Sequence, residues 1–421
     1  MRFKSVYVLL LYCVLIDLNA QQENNIIKND LEKITLHQAI ENALVNNHRI
    51  KIIDYEIKSL EKKKIQAGLF PNPELDFESE DFIGGKELRG FIGSQFTLLV
   101  KQIIELGDKR NSRTGFANNE IIIERENYKI YKLDLITEIK STFFDLYLKK
   151  LQIVQQEKFI GIYDEITKTI ADRVKAGKTS NAEESRAKIS SINSKLELQK
   201  LQREYLSIQT ELSSLMGMPE IKVIPLTSYF DSLIIPPSND EVFIDLDSIP
   251  SLKLLYHEAN LRKANLRLEE SHSTPDLTAS FGIRYLNEIK TNSFVAGLSI
   301  PLQIFNSNKG SIQSAEIKIN QMDEIIKAQK LFVIASLNKS YNNLIGAYNN
   351  AEQLKENILP ESENAYEITK HGYLQGRFAF IDLLDSHRIL FEAQVRYLSE
   401  ISNYYSSLIE IEKTTGKNFI K

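Results

Sequence analysis

Carboxylates are the side chains in this sequence whose spacing could do chemistry. Asp382 and Asp385 stand three apart just beyond Gly376, and Glu183 with Glu184 stands at the corresponding place beyond Gly177. Carboxylates three apart on a helix share a face. Taken alone, these residues read as a solvated helix face; their place beside a repeated glycine turn is what sets them apart. The six histidines, His37, His48, His257, His272, His371 and His387, lack the spacing of a zinc site and read as surface or helix-seam residues, so neither a metal site nor a cofactor is expected. No phosphate-cradling glycine loop, His-Glu-x-x-His or glycine-flanked serine occurs, so no catalytic residue is assigned and an enzyme is not expected. A formal charge of −4 gives no basic field for nucleic acid.

The elements that must position these carboxylates are long helices. Glycine (17) and proline (10) are scarce in 421 residues, and no proline falls between Glu74 and Met218. The sequence also repeats itself weakly. Val174 to Thr179 is echoed by Tyr373 to Phe378, and Ser214 to Gly217 by Lys413 to Gly416, both at an offset of 199. Asp108-Lys109 is echoed by Asn308-Lys309 at 200, and Pro73-Glu74-Leu75 by Pro275-Asp276-Leu277 at 202. Four landmarks at a nearly constant offset indicate a duplicated unit. Its first copy is expected over 21–248, with strands at 73–82 and 91–100, a helical hairpin over 104–217 and an irregular linker at 218–248. The second copy is expected over 249–421, with strands at 276–285 and 294–301 and a hairpin over 308–416.

In each copy a helical stretch precedes the strands, Thr35–Leu69 in one and Ser251–His272 in the other. The arm from Gly107 to Gly177 would be roughly 105 Å long, with a seam through Ile136, Ile139, Phe143, Leu146 and Ile153. A matching seam follows Gly376 through Phe380, Leu384, His387, Phe391, Gln394, Leu398, Ile401, Tyr405 and Leu408. Return arms end at Gly217 and Gly416 and cover only part of each long arm, so the upstream helices should complete a rod about 100 Å long. Pro360 should kink the second long helix.

The strands alternate. Leu277, Ala279, Phe281, Ile283 and Tyr285 form an apolar face opposed by Thr278, Ser280, Gly282 and Arg284, and Phe294 to Ile300 repeats the pattern less purely. Gly84, Gly85 and Gly90 should turn the first strand pair. Segments of this length suit a membrane β-barrel, but four strands cannot close one, so several chains are required. Arg2 and Lys4 before the apolar run Val6 to Ile16, followed by Leu18-Asn19-Ala20 as a cleavage site, read as an export signal over 1–20. Cys13, the sole cysteine, lies inside that signal, and Tyr12 before it disfavours a lipid anchor.

Phe70-Pro71-Asn72-Pro73-Glu74-Leu75, the decapeptide Lys101 to Arg110 and the stretch Gly376 to Arg388 resemble the TolC-type outer membrane efflux proteins, and more narrowly their CzcC-like heavy-metal branch. The resemblance implies a mainly α chain with a membrane β-barrel part, trimerising into a twelve-stranded barrel continued by an α-helical tunnel. It implies an exit duct that docks a periplasmic adaptor and an inner-membrane pump of the resistance-nodulation-division type. Asp382, Asp385 and Glu183 match acidic positions of the tunnel mouth, and Tyr373 matches a gate tyrosine. Gly177, Lys178, Thr179, Gly376, Arg377 and Phe378 form the tips that meet the adaptor. Phe378 stands where some members carry a gating arginine, and Asp108 replaces a glycine usual in the metal branch. The competing readings are a drug-efflux or protein-secretion duct of the same family, or a periplasmic coiled-coil scaffold.

Overall fold

The computed structural model describes residues 31–81, 91–219, 222–226, 233–243 and 246–420. The export signal with Cys13, and the turn glycines Gly84, Gly85 and Gly90, lie outside the described residues. In chain order the elements are β1 (Leu31–Ile34), α1 (Leu36–Asn46), α2 (His48–Ala67), β2 (Glu74–Glu80), β3 (Gln95–Ile104), α3 (Lys109–Lys175), α4 (Asn181–Leu215), β4 (Lys222–Pro225) and the one-turn α5 (Asn239–Val242). They continue with α6 (Pro250–His272), β5 (Leu277–Leu286), β6 (Thr291–Ser299), α7 (Lys309–Gln353), α8 (Leu359–Leu374) and α9 (Phe380–Thr415). Among the described residues no helix is long and apolar enough to cross a membrane.

The chain forms two compact units. The first takes in residues up to His48, Leu135–Pro236 and Asn342–Ile409; the second takes in Arg49–Asp134, Pro237–Tyr341 and the residues from Glu410 onward.

In the first unit, α3 packs on α9 through Phe144 against Tyr405 (ring centroids 4.4 Å) and Phe159 against Phe391 (4.7 Å). α4 packs back on α3, where Ser191 donates to Asp164 (2.7 Å) and Lys149 pairs with Glu204 (2.9 Å). Ile139, Phe143 and Leu146 of the expected seam are fully buried, while Ile136 and Ile153 are half-buried because Leu135 and Phe159 take the deeper places. The helix expected over Thr35–Leu69 is two helices. α1 opens on a capping box between Thr35 and Gln38 and ends at Asn47, whose backbone amide closes the helix on the Ala43 carbonyl (2.9 Å) while its side-chain Nδ2 donates to the Leu215 carbonyl (2.9 Å). The linker at 218–248 is not wholly irregular, since β4 within it pairs in parallel with β1. Pro360, which cannot donate and crowds the carbonyl four residues before it, follows a π-helical turn at Leu354–Ile358, a local break in the α-helical hydrogen-bond pattern beside the position where a kink was expected.

The second unit holds a four-stranded antiparallel sheet, β2-β3-β5-β6. β3 begins four residues later than the 91–100 expected, because Ser94 folds back on the Phe91 carbonyl in a tight turn (Oγ 2.7 Å). β2 is shorter than 73–82, and β6 starts at Thr291 rather than 294 because the β5–β6 turn closes tightly at Lys290, in the left-handed region. At the sheet's base Gly107 (φ 68°) passes so near Thr274 that a Cβ would lie 2.5 Å from its Cβ. Asp108 (φ 60°) and Asn308 (φ 58°), the residues echoed at offset 200, take the left-handed conformation immediately before α3 and α7. Short polar side chains tolerate that conformation, so Asp108 substitutes for glycine, and its carboxylate accepts from Asn111 (2.6 Å). Asp276 pins the same passage by accepting from the nearly buried Lys109 (2.6 Å) and from the Leu106 amide (3.1 Å).

Candidate functional site in the hairpin tips and the sheet

Both hairpins turn by the same device. Gly177 (φ 67°) and Gly376 (φ 76°) are left-handed, and the residue after each donates five positions back, Lys178 to the Arg173 carbonyl (2.9 Å) and Arg377 to the Gly372 carbonyl (2.8 Å). This is a Schellman stop, which requires a residue without Cβ strain at that point. The return helices start alike. The Ser180 hydroxyl accepts from the Glu183 amide (3.4 Å) while Thr179 donates to the Glu183 carboxylate. The Asp382 carboxylate accepts from the Ala379 amide (2.9 Å). Glu183 and Asp382 therefore occupy equivalent first turns, where a carboxylate is favoured by the helix dipole.

Asp385 is exposed and pairs along its own helix with Arg388 (2.7 Å), which also holds Glu392 (2.8 Å). Those two carboxylates raise the Arg388 pKa, Asp385 first. Gly177, Lys178, Gly376, Arg377 and Phe378 are exposed and Thr179 is half-buried. The Phe378 ring leans on Gly372, where an added Cβ would come within 2.1 Å of it.

Tyr373 is buried in an apolar cluster with Ile166, Ile170, Tyr366, Phe380 and Leu383, and burial pushes its phenol pKa up. The residue that joins the two tips is Arg173, which sequence reasoning missed. Its guanidinium donates to the Tyr373 carbonyl (2.8 Å) and lies 4.8 Å from the centre of that ring. The repeat aligns Arg173 with Gly372, and that unmatched cation was the one signal available. His387, read as a seam residue, is buried edge-on against Phe159 (4.9 Å) with Nδ1 3.1 Å from the Tyr163 hydroxyl. Burial lowers its pKa to about 4. Among the described residues no three histidine, cysteine or carboxylate side chains gather so as to hold a metal ion.

The sheet of the second unit has two chemically distinct faces. Register places Leu75 and Phe77 of β2, Phe96, Leu98 and Val100 of β3, Phe281 and Ile283 of β5, and Phe294 and Leu298 of β6 on one side. Most of these are more than half exposed. On the other side stand Glu74, Asp76, Glu78 and Glu80 with Lys101 and Arg284. Lys101 pairs with Asp76 and reaches Glu78 (3.7 Å), and Arg284 reaches Glu80 (3.4 Å) and the Thr97 hydroxyl (3.0 Å). An apolar face open to its surroundings, backed by a charged one, has the pattern of a β-barrel wall with lipid on one side and water on the other.

A model of the family described as outer membrane efflux protein matches residues 246–417. Over 384 residues, 91% of this chain and 90% of the relative, the sequence is 27% identical to the cobalt-zinc-cadmium resistance protein CzcC of Cupriavidus metallidurans. The fold is similar to that of the outer membrane protein VceC from Vibrio cholerae, with a TM-score of 0.73 at 15% identity over 91% of this chain and 97% of that one. It is also similar to CusC, with a TM-score of 0.69 at 16% identity over 90% of each chain. Two-faced sheet, matched family model and matched relatives point the same way: residues 246–417 match the outer membrane efflux protein family, and the fold is similar to that of solved outer membrane channels.

Proposed function

We propose that this channel is a homotrimeric exit duct for heavy-metal cations, fed by a periplasmic adaptor and an inner-membrane pump of the resistance-nodulation-division type. The two-faced sheet carries the reading. Four strands with open edges at β2 and β6 cannot close on themselves, and three copies supply the twelve strands of a barrel with its apolar face to lipid. The charged face then lines the pore with four carboxylates against two cations per chain, which favours cations. The relative named for cobalt, zinc and cadmium resistance supports a metal cargo.

In this reading each half of the duplicated chain, 21–248 and 249–421, supplies two strands and one hairpin. Gly177, Lys178, Thr179, Gly376, Arg377 and Phe378 face the adaptor, while Glu183, Asp382, Asp385 and Tyr373 belong to the mouth and its gate. The duct performs no chemistry, and adaptor contacts shift a closed tip toward an open one. Deleting the gene and measuring growth on zinc, cobalt and cadmium salts beside a set of drugs tests the cargo. Loss of tolerance to metal alone is expected; loss of tolerance to drugs alone would refute it.

A further inference from the structure

Within the first unit, α3, α4 and α9 border an open cleft of about 660 Å³, a size in the range of small-molecule sites. No tip residue lines it. Its walls are carboxamides and hydroxyls, Gln152, Gln155 and Gln156 from α3 and Ser190, Asn193 and Ser194 from α4. Packed helices ordinarily set apolar side chains where they meet, so this stretch gives up packing for hydrogen-bonding capacity. Leu201, Phe391 and Val395 supply one apolar side.

Two of the amides are already oriented. Gln156, buried, donates to the Ser194 carbonyl (3.0 Å) and hydroxyl (3.2 Å), and Gln155 donates to Gln394 of α9 (2.5 Å). The Gln152 carbonyl oxygen, by contrast, is buried without a partner. Such a group costs about 1–3 kcal/mol until a donor reaches it. The charges at the cleft cancel, since Lys149 pairs with Glu204 (2.9 Å) and Lys200 with Glu197 (3.1 Å). A cleft without net charge suits neither a metal ion nor an anion, and a helix laying an apolar stripe into it would leave its amides unpaired.

We propose that this cleft binds an N-acetylated sugar of a glycan. Sugar hydroxyls donate and accept as carboxamides do, and the C–H face of the ring can lie on the Phe391 ring. The acetamido group adds an N–H for the Gln152 oxygen and a methyl for the apolar side. The ligand is therefore distinct from any cation the duct carries, and the site does not depend on which cargo passes.

The full-length protein in detergent is titrated calorimetrically with chitotetraose, a neutral chain of N-acetylglucosamine, and with cellotetraose, which lacks the acetamido groups. Chitotetraose should bind saturably and about tenfold more tightly than cellotetraose, and Gln152→Leu should weaken it about tenfold. Leucine removes the unpaired carbonyl, so thermal unfolding should be unchanged or raised. Asn193→Ala, at an exposed position where folding is not at stake, should also weaken binding. Asn343→Ala, in a separate polar cleft between α7 and α9, should leave it unchanged. Co-sedimentation with purified cell-wall sacculi, reversed by chitotetraose, would identify wall glycan as the source; chitotetraose binding without it would identify a soluble sugar. No binding of either tetrasaccharide, equal affinity for both, or affinity unchanged in both Gln152→Leu and Asn193→Ala overturns the proposal.

Discussion

Replacing Arg173 by methionine should loosen the joined tips by an amount the geometry fixes. The substitution removes a charged hydrogen bond to the Tyr373 carbonyl (2.8 Å), worth about 2 kcal/mol. It also removes a cation–π contact at 4.8 Å, worth about 0.5 kcal/mol at a partly exposed site. Against this, the Arg173 Nε is buried without a partner, and removing it recovers about 1 kcal/mol of desolvation. The net loss is about 1.5 kcal/mol, close to a tenfold change in an equilibrium between joined and parted tips. Methionine keeps the apolar stem that lies along the cluster, so the substitution tests the charge rather than the packing. Single-channel recording in planar bilayers should show open probability raised about tenfold from its closed resting level, with thermal unfolding little changed. Unchanged open probability in a correctly folded R173M trimer would refute the idea that this contact holds the mouth shut.

Three further outcomes follow from the packing of single residues. Gly107→Ala should destabilise by about 3 kcal/mol in urea unfolding, since a left-handed Cβ meets Thr274 at 2.5 Å; Gly177→Ala, equally left-handed but with nothing within 4 Å, should cost only about 1 kcal/mol. His387 has its pKa lowered from 6.5 to about 4, so between those values the unfolded chain holds a proton the folded chain lacks. Stability should therefore fall as pH drops from 6.5 toward 4, by about 3 kcal/mol at most, and His387→Gln should flatten that window in melting experiments. Glu412, buried, accepts from the amides of Phe419 (2.5 Å) and Ile420 (2.6 Å), and Glu412→Ala should cost about 3 kcal/mol and expose the C-terminal residues to proteolysis.

Chain punctuation was readable in the sequence because it depends on local backbone demands. Gly177, Gly217, Gly376 and Gly416 each need positive φ, and an offset of 199 exposed them in pairs. Strand faces were readable for the same local reason, since alternation survives whatever the partner. What was not readable depends on residues distant in sequence. The break at Asn47 rests on a carbonyl 168 residues away, and β4 exists by pairing with β1 across the first repeat. Arg173 reaches a residue 200 positions on. The face that Tyr373 presents could not be decided from spacing either, because α8 has apolar residues on several sides and only packing selects the buried one. Asp382, by contrast, stood at a position where helix capping and a charged mouth ask for the same side chain, so sequence alone could not separate the two roles.

Copies of this chain should close a cation-favouring pore, and the reversal potential under a salt gradient reads that preference. The purified full-length protein in a planar bilayer should conduct, with a reversal potential of the sign that marks cations as the faster ions, and Asp382→Ala with Asp385→Ala should reduce that preference. Anion preference in the unmodified protein, or no conductance from it or from the double variant, would contradict the account.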